Sequence, residues 1–390
     1  MPGAALPAAG RKRTTVEFGL FNSACVLPQF RGGEHRRIMD EVAIVRAAEQ
    51  VGFKYTWATE HHFLTEYSHL SANEVFLGYL AAATSSIHLG SGIFNVTPPV
   101  NHPARVAERV AMLDHLSEGR FEFGMGRGSS TTEQKGFGIT DPDLTRDMFD
   151  EVVGEFRKMW KPEEYPGFDG RFVSMPPRNV LPKPYSHPHP PMWVAAGNPS
   201  TFEKAARMGL GVLCFTIGGP ESVKPLVELY KKEIANAEPV GEFVNDNIMV
   251  TTQLLCLDDG QRARTLGANL GMGYHRSLLL RYLDTFPRPA GIPEWPALLP
   301  DPTPEQIDDS IRAGDTAYGT PEEVEVAIAK YADAGVDQVV FGLLSSSMER
   351  ELAVETIETF GKHVLPVFDK DRVHRTTQQR EAAASTSPPS

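Results

Sequence analysis

Alternation is the feature that most limits what this chain can fold into. Short apolar runs recur at 18–21, 55–58, 87–93, 121–124, 192–196, 212–215, 248–257 and 338–343. Nearly all are apolar at successive positions, as strands buried on both faces of a parallel sheet must be. Between them lie segments whose apolar residues repeat on one helical face, such as Phe76, Tyr79, Leu80 and Ala83, or Phe149, Val153, Phe156 and Trp160. A last such pattern, Val354, Ile357, Phe360 and Val364, follows the eighth run. Gly52, Gly119, Gly209 and Gly335 each stand where a helix should stop before the next strand. Eight strands alternating with eight helices predict an α/β fold, the (β/α)8 barrel.

Two stretches break the rhythm, giving the barrel insertions after strands four and seven. The first, 161–191, is dense in proline and contains His187-Pro188-His189-Pro190-Pro191; the second, 259–320, separates strand seven from its helix. Long connections inside a compact barrel are commonly lids or surface excursions. The ends differ in composition from the rest. Residues 1–14 form an Ala/Pro/Gly leader, and 372–390 a tail rich in Gln, Ser, Ala and Pro. Both are expected to be disordered, flanking one barrel domain over 15–371.

Net charge −12 argues against a general binder of nucleic acid or anionic membrane, because the mean field repels both. Cys25, Cys214 and Cys256 are far apart and show neither disulfide nor zinc spacing. No apolar stretch matches a signal peptide or a membrane span, so a cytoplasmic setting is expected.

In a barrel the chemistry gathers at the carboxyl ends of the strands. After strand two come Thr59, Glu60, His61 and His62, where a histidine can act near neutral pH with an acid to orient it. Alternatively one of the pair packs and the other faces the mouth. These histidines lack the alternating spacing that puts two metal ligands on one side of a strand, and no metal is expected. After strand four, Gly124-Met125-Gly126-Arg127-Gly128-Ser129-Ser130 combines backbone amides with a guanidinium. After strand five, Gly197-Asn198-Pro199-Ser200-Thr201 opens a helix. Its small and hydroxyl residues suit either an anion site or simple capping. Strand three ends in Gly90-Ser91-Gly92-Ile93, whose glycines permit close approach to a flat ligand or a tight barrel corner.

Together these pieces resemble the bacterial luciferase family of flavin-dependent monooxygenases, closest to its alpha-type subunit. The segments are EFGLF (17–21), WATEHHF (57–63), NHPARVAE (101–108), LDHLSEGRFEFGMGRG (113–128), MWVAAGNPSTFEKAARMGLG (192–211) and YGTPEEV (318–324), in family order along nearly the whole chain. The resemblance implies flavin mononucleotide (FMN), bound in its reduced form, with O2 as co-substrate. By motif position, His61 matches the family's catalytic histidine and Glu60 the acid beside it. Arg127, Asn198 and Thr201 match groups on the flavin phosphate, beside Gly197. The Gly92–Ile93 bond matches a non-prolyl cis peptide under the flavin ring. Two departures stand out. Gly197 replaces an acidic residue of the luciferase pattern, and Met125-Gly126 replaces a segment that carries a cysteine there.

The implied reaction is oxygenation of a small, apolar organic substrate through a flavin 4a-hydroperoxide, with His61 assisting and Phe21, Phe63, Phe94 and Phe215 as apolar walls. A deazaflavin-dependent oxidoreductase and a non-catalytic flavin-binding barrel are the rivals. The EHH run favours FMN over deazaflavin. No dinucleotide fingerprint follows a strand, so a separate flavin reductase is expected. The resemblance also implies a homodimer.

Overall fold

A computed structural model of the chain describes residues 15–215, 219–285, 288 and 291–386. The leader expected over 1–14 lies outside them. The apolar runs become β1 (Glu17–Asn22), β2 (Tyr55–Ala58), β3 (His88–Ser91), β4 (Phe121–Gly126), β5 (Met192–Ala195), β6 (Gly211–Cys214), β7 (Ile248–Thr252) and β8 (Gln338–Phe341). Each pairs in parallel with the next, and β8 returns to β1 through Phe18↔Val339, which closes the barrel.

Closure requires large inward side chains to fit beside their neighbours, and the sequence provides for this with glycine. Trp57 is in register with Gly90, and Trp193 with Gly211. A Cβ on Gly90 would stand 2.1 Å from the Trp57 ring, and one on Gly211 2.5 Å from the Trp193 ring. The two indoles meet edge to face at 5.2 Å. With Tyr55, Leu213, Met249 and Val340 they fill the interior. The outward faces of the strands pack against the helices: Phe18, for example, meets Phe360 edge-on at 4.9 Å.

Helix ends follow the sequence signals. Gly52, Gly119, Gly209 and Gly335 all have φ between 67° and 99°, as left-handed stops do. Two expected elements differ. The pattern from Phe149 to Trp160 is two helices, Leu144–Val153 and Phe156–Trp160, broken at Gly154. The run 248–257 leaves the barrel after Thr252; its second half, Leu254–Cys256, pairs with Ala317–Gly319 in a separate ribbon, and all three of its residues are buried there. Apolar continuity marked the burial correctly but not the change of partner.

The insertion at 161–191 carries a two-strand ribbon, Phe168–Asp169 with Ser174–Met175. Its His189 is a packing residue: Nε2 accepts from the Glu242 amide at 2.8 Å and the ring stacks on Phe243. The insertion at 259–320 folds into three helices, Gly260–Ala268, Met272–Tyr282 and Pro304–Ala313. The middle one crosses the carboxyl ends of the strands. Its Leu278, Leu279 and Tyr282 pack on Leu27, Leu64 and Tyr67, and the following Asp284 accepts from the Thr131 amide at 2.8 Å.

The tail expected to be disordered from 372 is instead partly a helix, Arg375–Thr386, docked under the amino end of the barrel. Its Thr376 is fully buried and donates to Glu122, while the Arg375 amide donates to Glu17 at 3.0 Å. Among the described residues no helix is long and apolar enough to cross a membrane.

Candidate active site

Beyond β2 the chain runs over the barrel mouth. Glu60 turns inward and is nearly fully buried; it accepts from Asn101 Nδ2 at 2.9 Å and from the Asn95 amide at 3.3 Å. Its remaining contact is with His62 Nε2, at 3.1 Å. The sequence reading set Glu60 beside His61, and the structure corrects this: the carboxylate that His61 meets is Glu133. Residues 60 and 61 point to opposite sides of an extended segment, so adjacency in sequence separates their side chains. Glu133, on the short helix Thr131–Gly136, uses Oε1 for His61 Nδ1 at 3.2 Å and for the His62 amide at 2.8 Å. An ionised carboxylate only accepts, so Nδ1 of His61 carries the hydrogen and Nε2 is left for another partner. Tyr67 meets the His61 ring edge-on at 5.2 Å and fixes its other side.

Next to this pair, β3 ends at a cis Gly92–Ile93 peptide. The Gly92 amide is tied to the Ala58 carbonyl at 2.7 Å, and Ile93 lies against Gly126, where a Cβ would stand 3.0 Å from its side chain. The cis bond stands where the motif placed it, at the floor of the mouth between β2 and β4.

The two glycine- and hydroxyl-bearing turns come side by side because β4 and β5 are neighbours, with Met125 in register with Val194. Arg127 is half-buried and donates to the Thr145 hydroxyl at 2.8 Å. Among the described residues no carboxylate comes within ion-pair distance of it. Burial pulls its pKa below the ordinary guanidinium value, and Arg146 nearby pulls it further. On the β5 side the helix Pro199–Arg207 has Asn198 as its cap. Asn198 Oδ1 accepts from the Thr201 amide at 3.1 Å, while Thr201 Oγ1 accepts from the amides of Gly197 and Asn198, each at 3.2 Å. Capping thus accounts for these side chains within the chain itself, and the turn presents a helix N-terminus to the same space as Arg127. Lys204 of this helix pairs with Asp150 of Leu144–Val153, the helix that carries Thr145.

The other half of the mouth is a cavity of about 470 Å³ over the ends of β6, β7, β8 and β1. Phe21 and Phe215 line it, their rings 6.0 Å apart, as does Tyr67. Phe63 and Phe94, grouped with them from sequence, are elsewhere. Phe94 is core between Phe121 and Phe123, and Phe63 is exposed against Phe137. Sequence reasoning missed Glu133, Tyr67 and the insertion residues His275 and Arg276. Glu133 gave only a helix-start signal, two residues after Thr131, and nothing local joins it to a histidine 72 positions earlier. Among the described residues no group of three or more His, Cys, Asp or Glu side chains is placed to hold a metal ion.

Known proteins are similar to this chain in sequence and fold. The chain is 33% identical over 217 residues to the alkanal monooxygenase alpha chain of Photorhabdus luminescens, a match covering 56% of this chain and 58% of that subunit. It is 24% identical to the oxygenase component of the flavin-dependent trigonelline monooxygenase of Acinetobacter baylyi, across 87% of this chain and 92% of that protein. The crystal structure of the monooxygenase RslO1 from Streptomyces bottropensis superposes with a TM-score of 0.75 at 26% identity, covering 90% of this chain and all of the other. The family model for luciferase-like monooxygenases matches residues 16–338, from β1 to the start of β8, and the chain belongs to that family.

Proposed function

We propose that the protein is the oxygenase of a two-component system, taking reduced FMN from a separate reductase and using O2 to oxygenate a small organic substrate. The observation that carries this reading is Arg127. A half-buried guanidinium with no carboxylate at ion-pair distance among the described residues, on the strand next to the one that leads into the helix capped by Asn198, is a cation arranged for an anion. The fit to FMN is specific in chemistry. Arg127 and the turn at Gly197, Asn198 and Thr201 would hold the phosphate, and the glycine of the Gly92–Ile93 peptide would leave room for a flat ring. When bound, reduced FMN supplies the electrons that activate O2.

The chain's own residues do the rest. Glu133 holds His61 in one tautomer, so that Nε2 can take or return a proton beside the ring. Glu60 acts one step removed, by fixing His62 and the Asn95 and Asn101 loop. The helix Met272–Tyr282 and the aromatic wall of Phe21, Tyr67 and Phe215 exclude water from the reacting end. The relative named as an oxygenase component supports a separate reductase. A homodimer is supported by a surface face: Val75 and Tyr79 on Asn73–Ala83, with Met112 and Leu116 on the adjacent helix Pro103–Leu116, are 69%, 55%, 49% and 55% exposed. Apolar side chains one turn apart on two packed helices form a patch that a second copy covers.

The test is anaerobic titration with reduced FMN and with a reduced deazaflavin, followed by oxygen and a mixed apolar library, for the wild type and His61→Ala. FMN binding, coupled product from the wild type and uncoupled oxygen uptake by His61→Ala are expected. Productive binding of the deazaflavin alone overturns the cofactor, and unchanged coupling in a fully loaded His61→Ala protein overturns the role of the histidine.

A further inference from the structure

The cavity beside the flavin site contains a second cation that the reaction above does not use. His275 and Arg276 are consecutive on the helix Met272–Tyr282, and both line the cavity. Arg276 is exposed, and among the described residues it has no ion-pair or hydrogen-bond partner for its guanidinium. Other basic side chains of the insertion are engaged: Arg264 with Asp308 and Glu323, Arg262 with Glu355, and Arg281 over the Trp295 ring. The two carboxylates on the cavity wall are engaged as well. Asp301 accepts from the Gly273 amide at 2.7 Å and Asp315 pairs with Lys330 at 3.1 Å. A chain of net charge −12 therefore leaves, among the described residues, an arginine without an ion-pair partner at the rim of this cavity.

His275 is the second observation. Its ring is buried and stacks on Tyr67 with centroids 6.4 Å apart, and Tyr67 in turn touches the His61 ring. Nδ1 is buried with no partner, which leaves Nε2 as the nitrogen that a molecule in the cavity would reach. Burial, reinforced by the charge of Arg276, holds its pKa down at about 4, so it offers a hydrogen bond without a second charge. The lining is mixed, with Phe21, Tyr67, Phe215, Met272 and Leu279 supplying its apolar part beside hydroxyl groups such as Ser23 and Thr251.

Resting on the oxygenase reading, we propose that the substrate is an organic carboxylate: its anionic group pairs with Arg276 at the rim, His275 Nε2 bonds a second oxygen, and its apolar body extends past Tyr67 toward His61. A wholly apolar molecule filling the same space would strip water from the guanidinium and return no partner. The acid group therefore sets the direction in which the substrate enters, and the carbon presented to the flavin is the one far from the carboxylate.

Calorimetric titration of the flavin-free protein tests this with three matched pairs: octanoate and octanamide, 4-phenylbutyrate and its amide, and cyclohexanecarboxylate and its amide. At least one acid is expected to bind about tenfold tighter than its amide, the size of one charge-assisted bond. Arg276→Met should weaken that acid by about tenfold and shift the amide by less than about twofold, while Arg276→Lys keeps most of the preference. Arg276 is exposed, so neither variant threatens the fold. If no acid outbinds its amide, or Arg276→Met weakens acid and amide alike, the proposal is overturned. FMN titrations of the same proteins separate the two readings. Acid preference without FMN binding removes the flavin assignment alone; FMN binding without acid preference removes this one alone.

Discussion

Replacing Arg127 by methionine probes the cofactor assignment most directly, because it should move stability and binding in opposite directions. In the free protein the guanidinium is half-buried, bonded to a neutral hydroxyl at 2.8 Å, and subject to the like charge of Arg146, which outweighs the attraction of Asp143. Methionine of similar length removes that repulsion and the cost of burying a charge, so thermal stability should hold or rise slightly. With FMN present the same substitution deletes a charge-assisted bond to a phosphate dianion, a loss of about 1.5–3 kcal/mol, or a dissociation constant raised by roughly 10- to 150-fold. Riboflavin has the same ring and no phosphate. Its affinity should change by less than about threefold. Quenching of flavin fluorescence measures both. Arg127→Lys should recover only part of the loss, since a point charge cannot reproduce the planar fork. Equal loss of FMN and riboflavin would show that Arg127 supports the pocket rather than the phosphate, and no loss for either ligand would refute the reasoning outright.

Gly124→Ala should destabilise the barrel by about 3 kcal/mol or prevent folding, because the new Cβ would stand 1.9 Å from the Ser91 carbonyl, which is backbone and cannot swing aside; soluble yield and urea unfolding report it, and near wild-type stability would contradict the packing. Val75→Asp combined with Met112→Asp should convert the proposed dimer to a monomer with FMN affinity intact, read by sedimentation; an unchanged mass rules out that face. Glu122 is held at about 7 by burial, above its ordinary 4.5, so the folded state retains a proton that the unfolded state has already lost. By linkage that stabilisation is complete below about pH 4.5 and is lost as pH rises toward 7, by up to ~3 kcal/mol. Glu122→Gln lacks this loss, so its stability relative to wild type should improve between about pH 5 and about pH 8, and parallel melting curves across that range would be the contrary result.

The barrel was legible because its signals are local and repeated. Burial on both faces makes each strand apolar at successive positions, and the left-handed helix stops require glycine at the chain's own Gly52, Gly119, Gly209 and Gly335. The helix start at Asn198 was legible for the same reason, its residue types capping the helix in place. Glu133 was not, since its relation to His61 exists only once β2 and the loop after β4 meet at the mouth. The same holds for His275 and Arg276, which belong to an insertion read from sequence only as a long connection, with no sign of the helix that turns them to the cavity.

The tail failed for a different reason, and it shows what a reading based on apolar periodicity omits. The amino end of the barrel is closed by a polar layer rather than an apolar one. Glu17 accepts from Lys54 at 2.8 Å and Tyr55 at 2.7 Å, and Glu122 accepts from His88 at 2.8 Å and Trp193 at 2.7 Å, all of them buried. Such a layer, left open, would admit water to charged groups under the barrel core. What covers it must itself be polar, and the segment that does so offers Thr376 to Glu122, the Arg375 guanidinium to Asp337, the Arg380 guanidinium to the Gly119 carbonyl, and a His374 ring stacked 3.7 Å above His88. A helix that docks through hydrogen bonds carries no apolar stripe, so by composition it is indistinguishable from a disordered tail. The charged residues at the starts of β1 and β4 were the available sign: buried strands with Glu17 and Glu122 at their amino ends require polar partners from elsewhere in the chain, and the polar segment after 372 is one that supplies them.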